Sequence, residues 1–155
     1  MSDADVETVF VAKSYDDVIS QPHMHAVRFF ERSAKRTVSD ESDCGSSIDV
    51  SAFAGPQHVG LEMTMTLVAK EATFVVSAGL QFRFEQEISM SSQVLHEVLA
   101  RSVLPALMPI LTSWVMTELA VMELSGVVEV PFTEVYPTIT ENLRQQIISV
   151  PVAVD

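Results

Sequence analysis

Leu61-Glu62-Met63-Thr64-Met65-Thr66-Leu67-Val68-Ala69 decides the fold, together with the Phe74, Val76, Ala78, Leu80, Phe82 and Phe84 row that follows Lys70-Glu71. In the first run Leu61, Met63, Met65, Leu67 and Ala69 share one side, and Glu62, Thr64, Thr66 and Lys70 the other. In the second run Ser77, Gly79, Gln81, Arg83 and Glu85 oppose the apolar row. Successive strand side chains point to opposite faces, so this period of two predicts an antiparallel hairpin with one covered face and one wetter face.

Downstream, the period changes to that of a helix. Ser91 or Ser92 is placed to cap it, and Val94, Leu95, Val98, Leu99, Ser102 and Val103 form a stripe, with Glu97 and Arg101 turned outward. Pro105 and Pro109 are expected to interrupt or kink the helix, with Pro109 in the first turn of a fresh one. Between residues 110 and 122, Ile110, Leu111, Trp114, Val115, Leu119, Val121 and Met122 are expected on one broad arc. Thr112, Ser113, Met116, Thr117 and Ala120 make a small-residue arc opposite, suited to a helix of another subunit. Glu118 falls among the apolar positions. It is expected to meet Arg83 or Arg101 or to escape at the rim, and otherwise marks a partly wet groove. Ser125-Gly126 should end the helix, residues 127–130 are extended, Pro131 stops any ladder, and residues 138–149 offer a short amphipathic helix.

Upstream of the hairpin, residues 1–8 are an acidic tail, residues 9–12 are β-prone, and residues 25–31 fit either a strand or a short helix. Residues 39–47 form a polar connection, residues 48–53 alternate, and Gly55-Pro56 bends the chain. Strands first and helices last give an α+β layer: an antiparallel sheet of about four strands with helices on one face. One domain over residues 9–150 is expected from 155 residues.

Composition narrows the function classes. Apolar residues make up 48% of the chain and charged residues 19%, and this grease predicts that some apolar surface meets another subunit or a ligand. The net charge of −12, with no basic residue in residues 102–143, opposes nucleic acid and anionic membranes, which require Lys and Arg. An acidic face for a basic protein partner is the functional alternative to simple solubility. Cys44 is the single cysteine, so neither an intrachain disulfide nor a cysteine metal box is expected. The N-terminus lacks a signal-peptide pattern, and the longest uncharged apolar stretch, about 16 residues with two prolines, falls short of the roughly 20 needed to span a bilayer. A cytoplasmic protein without membrane insertion is expected.

His23 and His25 would share one side of a strand, but zinc and iron sites need three or four ligands. Met63 and Met65 at period two are core residues rather than copper ligands. No Gly-x-Ser-x-Gly and no glycine-rich phosphate loop occurs, and acidic neighbours oppose thiolate formation at Cys44. The chain is therefore not expected to be an enzyme or to carry a cofactor.

Several stretches resemble the SecB family of protein-export chaperones. Ala106-Leu107-Met108-Pro109 is similar to its Leu-Phe-Pro helix opening, and Val128-Glu129-Val130-Pro131-Phe132 to its Leu-x-Leu-Ala-Pro-Val-x-Phe return. Glu71-Ala72-Thr73-Phe74-Val75 is similar to Glu-Thr-Ala-Phe-Leu, and Gln21-Pro22-His23-Met24 resembles Ala-Pro-His-Val. The resemblance implies a homotetramer, a dimer of dimers, that holds unfolded or precursor polypeptides in an apolar groove without ATP. It also implies contact with the SecA translocase motor. Candidate client-binding residues are Phe29, Phe30, Phe53, Phe132, Tyr136, Ile139 and Leu143; Asp16 and Asp17 are the acidic partner candidates. The chain departs from the family where Ile110-Leu111-Thr112-Ser113 replaces Tyr-Ala-Arg-Glu, where Ser77 matches the acidic strand residue offered to the motor, and where Ser20 matches a further acid. The competing reading is a small apolar-ligand or lipid carrier, with helices closing a cavity against the sheet.

Overall fold

The computed structural model describes residues 8–126 and residue 141. Its elements run β1 (Phe10–Ala12), α1 (Tyr15–Ile19), β2 (His23–Arg36), a 3₁₀ turn (Glu41–Asp43), β3 (Gly45–Gly55), β4 (His58–Val68), β5 (Ala72–Phe84), β6 (Ile88–Met90), α2 (Ser92–Val98), a π-helical turn (Leu99–Val103) and α3 (Leu104–Val121). The fold class is α+β: a four-stranded antiparallel sheet, order β2-β5-β4-β3, with one long helix across one face.

The alternation read in the sequence sets the layers. Leu61, Met63, Met65 and Leu67 of β4 and the even-numbered apolar row of β5 are buried on the helix side. Strand registers continue that row into β3 through Met63↔Val50 and into β2 through Leu80↔Val27. Residues 25–31, compatible with strand or helix, are strand. From the helix, Leu104, Leu107, Met108, Leu111, Val115 and Leu119 close the core. Each buried side chain of this size contributes about 1.5–3 kcal/mol, so the helix–sheet seam dominates the stability.

Helix α3 departs from expectation in three ways. First, the chain is helical from Ser92 to Val121, and Pro109 lies inside α3 while Pro105 occupies its first turn. A proline removes one hydrogen bond and crowds the carbonyl four residues back. Here both prolines are on the exposed side, where water satisfies the freed carbonyls. The crowding at Pro105 falls on Arg101, inside the π turn, whose wider winding is closed by the Leu104 N–H donating to the Leu99 carbonyl. Second, Val121 is 73% exposed and Ile110, Trp114 and Met122 only half-buried, so the sheet-facing arc is narrower and rotated from the one expected. Third, the continuous helix of 30 residues reaches the length and apolarity of a membrane-crossing segment, which the proline-split reading had denied it. Its sheet side is sealed in the core.

The helix stops before Ser125-Gly126. Glu123, at φ 60°, takes the left-handed position, the Glu123 N–H donates to Ala120 O (3.1 Å), and the Leu124 N–H donates to Leu119 O (2.9 Å). This is a Schellman motif with its apolar contact supplied by Leu124 and Leu119, both buried. Arg36 of β2 donates to the Met122 carbonyl and so ties the helix end to the sheet. At the other end, the Ser91 hydroxyl accepts from the Val94 N–H (3.3 Å) as the expected cap.

The N-terminal segment folds over this end. β1 pairs in parallel with β6, and Tyr15 of α1 shares a 2.6 Å hydrogen bond with Ser102 in the π turn. The extended segment at residues 127–130, Pro131 and the C-terminal helix at 138–149 lie outside the described residues, apart from Glu141.

Candidate polypeptide-binding surface

The second face of the sheet carries no helix among the described residues. It carries two glycines on neighbouring strands, Gly60 of β4 and Gly79 of β5, offset by two residues (Gly60↔Gln81, Glu62↔Gly79). Without side chains they leave a hollow, and two aromatic rings fill it from opposite edges. Phe53 of β3, paired with Gly60, lies on it so closely that a Cβ there would stand 2.4 Å from its Cζ. Phe30 of β2 leans over Gly79, where a Cβ would stand 3.1 Å from its Cε2. Cross-strand aromatic cover of glycine is a known device for completing a sheet face. The rings remain accessible, Phe53 half-buried and Phe30 49% exposed.

A register shift between Phe29 and Glu31 explains how neighbouring phenylalanines face opposite ways. Phe29 pairs with Ala78 and Glu31 with Ser77, leaving Phe30 as the extra residue of a bulge. Phe29 therefore joins the helix-side core, half-buried, with the Arg32 guanidinium 4.9 Å from its ring centroid. Of the candidate client-binding residues, the structure brings Phe30 and Phe53 to one face and puts Phe29 on the other. Phe132, Tyr136, Ile139 and Leu143 lie outside the described residues.

Around the two rings the face carries both charged and neutral groups: Arg28 and Glu62 pair with Gly79 from its two neighbouring strands. Thr64 and Ser77 share a 2.8 Å hydrogen bond between them. Ser77, the position matching the motor-contacting acid of the resembling family, is only 6% exposed and carries no charge. Asp16 and Asp17 fall on helix α1, not on a strand. Asp16 is exposed, whereas the Asp17 carboxylate accepts the N–H groups of Lys13 (2.8 Å) and Ser14 (3.1 Å) while Ser14 Oγ accepts the Asp17 N–H. That capping box gives Asp17 a local structural duty.

Thr112, Ser113, Met116, Thr117 and Ala120 lie on the side of α3 away from the sheet. Thr112 is half-buried and the other four exposed, with Met116 at 49%. Thr112 and Thr117 hydroxyls bond back to the carbonyls of Met108 and Ser113, both at 2.8 Å, so the face offers methyls more than free donors. Glu118 sits half-buried at the rim; Arg101 pairs with Glu97 at 3.8 Å and stacks 3.8 Å from the Tyr15 ring centroid. Among the described residues no group of three metal-ligating side chains occurs.

One cluster escaped the sequence reading. His25 stacks on Phe82 (4.2 Å between centroids, 5° interplanar) and His23 on both (4.9 Å to Phe82, 5.3 Å to His25). The expected shared side of the two histidines is present, but its partner is Phe82, the cross-strand neighbour of His25, which only the β2–β5 pairing reveals.

Comparison with solved structures finds a SecB-like chaperone of Mycobacterium tuberculosis, solved in complex with a ChAD peptide from the HigA1 antitoxin. The match has 14% identity and TM-score 0.48, covering 70% of this chain and 86% of that one. No protein-family model matches the chain, and no curated protein matches it.

Proposed function

We propose that this chain is an ATP-independent holdase: a cytoplasmic, homo-oligomeric protein that holds unfolded or precursor polypeptides. The observation that carries this reading is the pair Phe30 and Phe53, lying accessible over Gly79 and Gly60 on a sheet face that no described element covers. A held chain loses conformational entropy, so the surface must return it through apolar contacts that tolerate many sequences. Aromatic faces do this with little entropy loss of their own. The sequence resemblance to the SecB family supports the same reading, including a tetrameric assembly and a role in export.

In this reading Phe30 and Phe53 line the client surface, the outward arc of α3 is the contact between subunits, and Asp16, being exposed, is the acid left for a translocase-type partner. Ser77 offers that partner nothing. The carrier reading needs room between helix and sheet, where Leu61, Met63, Phe74, Leu107 and Leu111 instead form one fully buried cluster.

The test is light scattering of a chemically unfolded reporter diluted into near-stoichiometric protein without nucleotide. The wild-type chain should suppress aggregation, and Phe30→Ser with Phe53→Ser should lose most of that effect while keeping a cooperative unfolding transition. Full suppression by the double variant, or none by the wild type, would end the proposal.

A further inference from the structure

Strand β2 is at one end of the sheet, and among the described residues its outer edge pairs with no strand. An open edge presents backbone N–H and C=O groups to any extended chain. Four of the nine cations of this −12 chain, Arg28, Arg32, Lys35 and Arg36, stand in this one strand. Against them Glu31 is the single acid, leaving β2 a net charge of +3 with neutral histidines. All four cations are exposed, and none faces a carboxylate in ion-pair reach among the described residues.

The cations are interleaved with accessible apolar groups: Met24 (70% exposed), Val27 (45%) and Phe30 (49%). Arg28 lies 5.4 Å from the Phe30 ring centroid and Arg32 4.9 Å from that of Phe29, so two guanidinium groups are held along the strand. Charge selects the occupant. A second copy of β2 would bring +3 against +3, which like-charge repulsion opposes. Phosphate polymers have no peptide groups to pair with an open edge, and their dense charge meets the −12 of the whole molecule.

We propose that the β2 edge takes an extended polypeptide segment that carries acidic and apolar residues on both of its faces, added as a further strand of the sheet. Acids on such a strand meet Arg28 and Lys35 on one face and Arg32 on the other, and its apolar residues cover Val27 and Phe30. The inference rests on the reading of the chain as a polypeptide binder and names the client chemistry.

The experiment titrates the full chain into two fluorescein-labelled peptides, one repeating Glu-Glu-Val-Val and one repeating Lys-Lys-Val-Val, followed by anisotropy and hydrogen exchange. The acidic peptide should bind at least about tenfold more tightly than the basic one, and high salt should weaken it. Its binding should protect amides within residues 23–36. Arg28→Glu with Arg32→Glu should weaken it about tenfold or more, and Lys35→Glu alone should weaken it in the same direction should the double variant fold poorly. Equal binding of the two peptides, binding of neither, or protection confined to other strands overturns the inference. Aggregation suppression without acidic preference would remove this edge assignment and leave the holdase standing; acidic-peptide binding at β2 without suppression would do the reverse.

Discussion

Glu123 stands at φ 60° in the helix stop, a conformation that glycine adopts at little cost and other residues adopt at about 1 kcal/mol. Glu123→Gly should therefore raise stability by about 0.5–1 kcal/mol, read as a higher urea midpoint at unchanged slope. The two sheet glycines should separate in the same assay. A Cβ at Gly60 meets Phe53 and, at 2.6 Å, the Leu80 backbone carbonyl, which cannot swing away; Gly60→Ala should cost about 1–3 kcal/mol. At Gly79 the nearest atom belongs to the mobile Phe30 ring, at 3.1 Å, and Gly79→Ala should cost under about 1 kcal/mol. Equal costs would mean that the rings do not rest on these glycines as described. Phe30 and Phe53 were legible as candidates from sequence, but their convergence was not, because neither glycine has a side chain whose pattern could announce it.

At the scale of elements, alternation carried farthest. Residues 61–84 fold as the period of two demands, since a one-residue slip would turn Leu61, Phe74 and their rows to solvent. Helix α1 is capped by Ser14 and Asp17, yet its five residues are too few for a periodic stripe to announce it. The prolines misled for a different reason. A rule about local backbone geometry was applied where burial decides, and the seam of Leu104, Leu107, Leu111 and Val115 outweighs two missing hydrogen bonds on the wet side. From this, Pro109→Ala should restore an interior hydrogen bond and stabilise by about 1–2 kcal/mol, whereas Pro105→Ala, where the preceding π turn already relieves the crowding on Arg101, should change stability by under about 1 kcal/mol. Thermal unfolding of the two variants checks the contrast; a destabilised Pro109→Ala would mean that the bend itself is needed.

For the whole molecule, the outward side of α3 and the acidic balance belong together. A chain at −12 that leaves Met116, Val121 and Ala120 uncovered has a neutral stripe on which like-charged copies can approach. Met116→Glu with Ala120→Glu should shift sedimentation toward the smaller species, weakening association at least about tenfold because a charge must be desolvated there. An unchanged sedimentation profile would place the subunit contact elsewhere.

Strands β4 and β5 lie beneath the helix, while β2 extends past it, with His25 and Val27 exposed on the very side where Phe82 and Leu80 are sealed. Like the eave of a roof, this overhang is held by the house without holding it up. The side chains at His25 and Val27 can be rewritten at small cost to folding, so what this overhang grips can change while the beams stay the same.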